Sequence, residues 1–222
     1  MKIAVYGEGH LADTHRQALE MHGRLANPDD DAPLELGIVA EDVTDHSDAT
    51  QLGAVQEAFL QASWRCTYII IASQVPPGWT REAAGPGLNR IFYQVDTIIV
   101  KRAVERVLRP EQIIVGCADS TAPLPLEYQA YLALHDCPVL QMSYESAELA
   151  KCMINVMLAQ QVAVANDGAA VAKRIGASWE DVARALRNDA RIGPAAYLRP
   201  GELNRHLQRD VSTIAQMVEE SP

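Results

Sequence analysis

Apolar positions in the first 143 residues come in short runs separated by helical spacing. Runs over 2–6, 34–40, 67–72, 90–95, 112–116 and 138–141 are the right length for buried strands. Between them, 11–21, 51–61 and 125–134 carry helical patterns. Such alternation predicts an open α/β sheet. From residue 145 the pattern is helical only. One long helix should run through Lys151 and Asn155 to about residue 175. Ser178 reads as the N-cap of a helix over 179–187, with Glu180 and Asp181 favouring its first turn. A last helix is expected over about 203–219.

The first run leads directly into Gly7-Glu8-Gly9-His10-Leu11-Ala12. Strand, glycine turn and helix together are the context that the dinucleotide fingerprint G-x-G-x-x-G/A requires. Gly7 would permit the tight turn. Gly9 would let a pyrophosphate approach the backbone at the helix N-terminus. Ala12 would allow close helix–strand packing. The expected fold is therefore a trimmed Rossmann-like parallel sheet over 1–143, with 2–6 as a central strand. An all-helical domain follows over 144–222.

A second acidic strand should come after the first helix in such a unit. Residues 23–33 are too polar and Pro-broken for one. Asp29, Asp30 and Asp31 stand roughly 20 residues beyond the glycines, where a ribose-binding acid would fall. A solvated acidic loop is the favoured reading of that cluster.

Lys151 and Asn155 are four apart and share a helix face. Their neighbours Leu149, Cys152, Met153, Val156 and Leu158 are apolar. A cation in such company either snorkels to the surface or has a task, such as donating hydrogen bonds to a developing alkoxide beside the Asn amide. The helix over 151–166 is apolar on several sides and needs cover on more than one face. A homodimer would supply that cover.

Several segments, in order, resemble the UDP-glucose/GDP-mannose dehydrogenase family. Residues 70–81 are similar to its strand ending in Ser-Thr-Val-Pro-x-Gly-x-Thr. Residues 102–116 resemble its Gly-Arg-Ala…His-Pro stretch, and 148–155 its Glu-x-x-Lys-x-x-x-Asn. Residues 188–193 resemble its Asp-x-Arg-Ile-Gly, and Pro200-Gly201…Asp210 the end of its glycine-rich active-site motif. The resemblance implies an N-terminal domain binding NAD (or NADP), with Gly7, Gly9, His10, Leu11, Ala12 and Ser73 on the cofactor. It implies a central dimerisation domain whose Arg191 lies at the dimer interface and reaches the partner's substrate site. Lys151, Asn155 and Asp210 correspond to catalytic positions.

The departures fall on chemistry. The family's nucleophilic Cys position holds His206, its active-site Thr is Gln74, and its two Glu positions are Asp96 and Val100. Oxidation to an acid needs a thiolate to carry a thioester, so any oxidation here should stop after two electrons. His206, one turn before Asp210, reads either as a general base or as a surface His among polar neighbours. Asp96 follows an apolar run, at a strand end where α/β sites gather, or simply closes a turn.

Composition narrows the class. With 48% hydrophobic and 22% charged residues the chain reads as globular. A net charge of −10 argues against nucleic acid or an anionic membrane as partner. Four Cys without a C-x-x-C pair point to reduced thiols in a cytoplasm and to no metal. Two functions remain open. One is an NAD(P)-dependent oxidoreductase performing a single alcohol–carbonyl step on a sugar or hydroxylated small molecule. The other is a non-catalytic or repurposed dimeric binding protein on the same scaffold.

Overall fold

The computed structural model describes residues 1–29, 34–97 and 102–220. The chain divides into two compact units, Met1–Lys151 and Cys152–Pro222, so the division falls inside a helix rather than at its start. The first unit is built from β1 (Ile3–Tyr6), α1 (His10–Met21), β2 (Leu34–Val39), α2 (Ala49–Arg65), β3 (Cys66–Ile71), α3 (Trp79–Ala84), β4 (Ile91–Val95), α4 (Ala103–Leu108), β5 (Ile113–Cys117), α5 (Leu126–Leu132) and β6 (Val139–Ser143). Helix α6 (Tyr144–Ile175) continues into the second unit, which adds α7 (Trp179–Asn188) and α8 (Arg205–Glu219). All six strands stand within two residues of the apolar runs.

The sheet order is β1-β2-β3-β4-β5-β6. Neighbours run parallel except β4 and β5, which are antiparallel. The sheet is thus mostly parallel, in keeping with the expected Rossmann-like parallel sheet. A correction concerns β1, which ends the strand order instead of lying at its centre. Among the described residues, its outer side carries only an isolated parallel bridge between Ile3 and Leu25. There Ile3 donates to the Arg24 carbonyl at 3.1 Å, and Ala26 donates to the Ile3 carbonyl at 2.9 Å. A whole second strand is thus reduced to one bridge, because the Asn-Pro-Asp sequence beyond Ala26 turns the chain away. Asp30 and Asp31 lie outside the described residues, as does Val100.

Strands β1 to β5 are buried on both faces for most of their length, as in sheets covered by helices on each side, whereas Val139 and Leu140 of β6 are exposed. Leu36, Ile38, Ile70, Phe92 and Val115 join Leu11, Ala12 and Leu19 of α1 and Tyr128, Tyr131 and Leu132 of α5 in one apolar cluster. Helix α2 supplies buried Val55, Ala58, Phe59 and Ala62. In the second unit, Ser178 Oγ accepts from the Asp181 amide and caps α7, while Asn204 Oδ1 caps α8 through the Leu207 amide. Both caps satisfy donors left open by the helix start. No helix among the described residues is long and apolar enough to cross a membrane.

Candidate functional site

The glycine turn has the backbone its sequence demands. Gly7 and Gly9 take φ of 118° and 92°, values that L side chains rarely adopt. A Cβ on Gly7 would lie 2.6 Å from the Ala40 carbonyl oxygen, so Gly7 is required for β1 and β2 to close at this end. Ala12 is fully buried and Leu11 nearly so, in keeping with close packing of α1 on the sheet.

The donors at the helix start are already engaged by the protein's own carboxylates. The His10 amide donates to Asp42 Oδ2 at 2.7 Å, and the Leu11 amide to Asp42 Oδ1 at 3.2 Å. The Glu8 amide donates to Glu41 Oε1 at 3.1 Å. A Cβ on Gly9 would sit 2.5 Å from Asp42 Oδ2, so the close approach permitted by this glycine is taken by a carboxylate. Ser73 is fully buried and its Oγ accepts from the Glu41 amide at 2.7 Å, tying the β2–α2 turn to the end of β3. Burial, with Glu8 and Asp42 nearby, raises the Glu41 pKa even against the lowering effect of the Glu8 amide. Arg16 spends Nη2 on the Gly7 carbonyl at 2.6 Å and Nη1 on Asp13 at 3.1 Å. This arrangement does not fit a dinucleotide pyrophosphate. The amides that would bind it are occupied, and Glu8, Glu41 and Asp42 repel its charge.

Asp96 belongs to a different cluster. Its Oδ2 meets His15 Nε2 at 2.7 Å and its Oδ1 accepts from Gln94 Nε2 at 3.3 Å. His15 is buried on α1, so the pair joins the end of β4 to that helix. Glu148, the first residue of the Glu-x-x-Lys stretch, is fully buried. Its carboxylate accepts from the amides of Gly78 (2.6 Å) and Thr80 (2.8 Å) and so caps α3. Burial raises its pKa, which these hydrogen bonds oppose. The Pro-Pro-Gly loop and the start of α6 are thereby fastened together. Lys151, buried, lies three residues further along α6 and closes the first unit.

In the second unit, Asn155 Nδ2 donates to Asp210 Oδ2 at 2.6 Å, and Arg209 Nε donates to Asp210 Oδ1 at 2.6 Å. Asp210 is fully buried and Arg209 almost so. Both Asp210 oxygens are engaged, which suits a fixed charge more than a free base. His206, half-buried, is the second residue of α8, one turn before Asp210. Arg191 is exposed and paired with Asp189 within the same turn, at 2.6 Å. Asp42, Glu41, His15 and Arg209 were not singled out by the sequence pattern. Asp42 follows the apolar run of β2, the signal that did bring Asp96 into view.

Residues 145–221 match the model of the UDP-glucose/GDP-mannose dehydrogenase family, central domain. The chain is 26% identical over 206 residues to the UDP-glucose 6-dehydrogenase of Rhizobium meliloti (strain 1021), covering 81% of this chain and 45% of that protein. It is 34% identical over 93 residues to the UDP-glucose 6-dehydrogenase of Pseudomonas aeruginosa, covering 41% of this chain and 20% of that one. All of these point to the UDP-glucose/GDP-mannose dehydrogenase family. Among solved structures, a UDP-glucose dehydrogenase from the archaeon Pyrobaculum islandicum superposes with TM-score 0.78 at 18% identity, over 98% of this chain and 64% of that one. A UDP-D-ManNAc dehydrogenase from Pyrococcus horikoshii gives 0.80 at 16%, over 100% and 66%. These likenesses establish the Rossmann-like α/β fold. The chain spans about half the length of its first curated relative, 45%. The relatives are nucleotide-sugar dehydrogenases, and at family level the cofactor is NAD.

Proposed function

We propose that this chain is a homodimeric binding protein on the nucleotide-sugar dehydrogenase scaffold, one that has given up dinucleotide-dependent oxidation. The observation that carries the reading is the Asp42 carboxylate on the His10 and Leu11 amides. A fold of this kind seats its dinucleotide on those donors. The ligand class to test first is a sugar or sugar nucleotide, by analogy with the relatives' substrates. The loss of the thiol at His206 agrees with this reading, since no other group at that position could carry a thioester. Calorimetric titration of the purified chain with NAD and NADP into the millimolar range should give no saturable heat. Saturable binding of either would refute the reading.

One observation favours the second reading, an NAD(P)-linked two-electron alcohol–carbonyl oxidation. Asn155 and Asp210, two of the positions that the family resemblance makes catalytic, stay hydrogen-bonded within the second unit. Formation of reduced nicotinamide with a sugar nucleotide, lost on Lys151→Ala, would decide for it.

A further inference from the structure

We infer that Asp42 is a built-in substitute for phosphate that locks the cradle of the glycine turn, and that its removal reopens the cradle to phosphate-bearing nucleotides. The inference rests on the reading above and assigns the closure of the His10 and Leu11 amides to one residue.

Helix α1 has twelve residues, and its N-cap, Gly9, offers no side chain to the open amides. The cap comes instead from a residue 31–32 positions later in the chain. A carboxylate with one oxygen on each of two successive amides reproduces the contact that a phosphate oxyanion makes at a helix start. Asp42 is solvent-exposed, yet its backbone is held in place. The Ala40 amide donates to the Tyr6 carbonyl at 2.8 Å, and the Glu41 amide donates to Ser73 Oγ at 2.7 Å. The two residues before it are therefore tied to β1 and to Ser73, just beyond β3, and the side chain leaves a fixed point opposite Gly9. The space against Gly9 is filled to 2.5 Å of a notional Cβ. A phosphate could enter only by expelling the carboxylate, and would then face Asp42, Glu41 and Glu8 together. Arg16, already on Gly7 and Asp13, offers little compensation.

The turn keeps the backbone of a phosphate site: Gly7 and Gly9 have positive φ and Ala12 is fully buried. Glu41 holds the Glu8 amide, so substitution at Asp42 reopens the His10 and Leu11 amides and leaves the Glu8 amide engaged. Asp42→Ala frees both amides and removes one repelling charge. Asp42→Asn keeps one acceptor for one amide and removes the charge.

The test is calorimetric titration of the full chain and both variants with NAD, ADP and inorganic pyrophosphate, with far-UV circular dichroism as the check on folding. Asp42→Ala should bind NAD at least about tenfold more tightly than the native chain, equivalent to about 1.4 kcal/mol. Asp42→Asn should lie between, so the inference stays testable if the Ala variant unfolds. Pyrophosphate should raise the melting temperature of the variants and leave the native chain unmoved. A native chain that stays silent while both folded variants stay silent overturns the lock and leaves the proposed function standing. A native chain that binds NAD weakly, with a variant at least tenfold tighter, supports the lock and overturns the proposed function. Equal binding by all three overturns both.

Discussion

Asn155 and Asp210 meet across 55 residues of chain, amide nitrogen to carboxylate oxygen at 2.6 Å, with the carboxylate fully buried. Its other oxygen holds the Arg209 guanidinium, whose side chain is 1% exposed. A buried charge is tolerated only with its partner and its hydrogen bonds in place. Asp210→Ala withdraws the carboxylate from both Arg209 and Asn155. The expected loss is about 3–5 kcal/mol, read as a lowered urea midpoint. Asp210→Asn keeps the shape and should lose less. A change below about 1 kcal/mol for the Ala variant would show that the pair contributes little.

Gly168 lies inside α6, where an Ala would ordinarily stabilise by about 1 kcal/mol. Here the opposite is expected. A Cβ at this position would come within 2.2 Å of Trp179 Cζ3, and the Trp179 indole is fixed by its hydrogen bond to the Leu198 carbonyl at 3.1 Å. Gly168→Ala should therefore destabilise by about 1–3 kcal/mol through overpacking. Thermal unfolding of the variant checks the sign, and a raised midpoint would contradict it.

The strands were legible because each is an apolar run, most of them buried on both faces, as at Ile69, Ile70 and Ile71. The caps at Ser178 and Asn204 depend on local hydrogen bonds, and Ser178 stood out for that reason. What escaped depends on pairing across the chain. Asp42 reaches His10 over 32 residues, and nothing local marks it as the cap of another helix. His15 looked like any polar residue of α1 until β4 brought Asp96 to it. Arg209 sat among polar neighbours that suggested a solvated face, yet its partner Asp210 carries it into the interior. The place of β1 at the end of the sheet followed from a contest at Leu25 between pairing and the turn residues after it. Local pattern registered the turn but not its consequence for strand order.

His135 is expected to make folding sensitive to mild acid. It is 9% exposed, and its ring lies edge-on to Tyr131 and to His22. Burial lowers its pKa from the ordinary 6.5, and His22 and His15 lower it further, against the Leu108 carbonyl and Asp96. The unfolded chain therefore takes up a proton on this residue at a higher pH than the folded one. Stability from neutral His135 is complete above the ordinary His value and is lost as pH falls from there through the depressed folded value. His135→Leu should flatten the fall in urea midpoint between neutral pH and about pH 5. An identical slope in the variant would place the acid sensitivity elsewhere.

The outward face of α6 bears on assembly. Met153, Met157, Val164, Val171 and Ile175 are 37%, 57%, 56%, 46% and 69% exposed. At about 100° per residue their directions fall within an arc of about 40°. That is a single apolar stripe, longer than scattered surface residues produce, and such stripes mark contact surfaces. A second copy of the same helix would cover it without needing any charged counterpart, which suits the self-complementary contact of a twofold dimer. Sedimentation equilibrium at micromolar concentration should give about twice the 24.3 kDa chain mass. Val164→Lys places a charge at the middle of the stripe and should shift the equilibrium toward the single chain by tenfold or more, about 1.4 kcal/mol or above. Its far-UV spectrum should stay unchanged, because Val164 already faces solvent within one copy. A native chain that sediments only as a single copy, or a variant that dimerises as before, would remove α6 from the assembly.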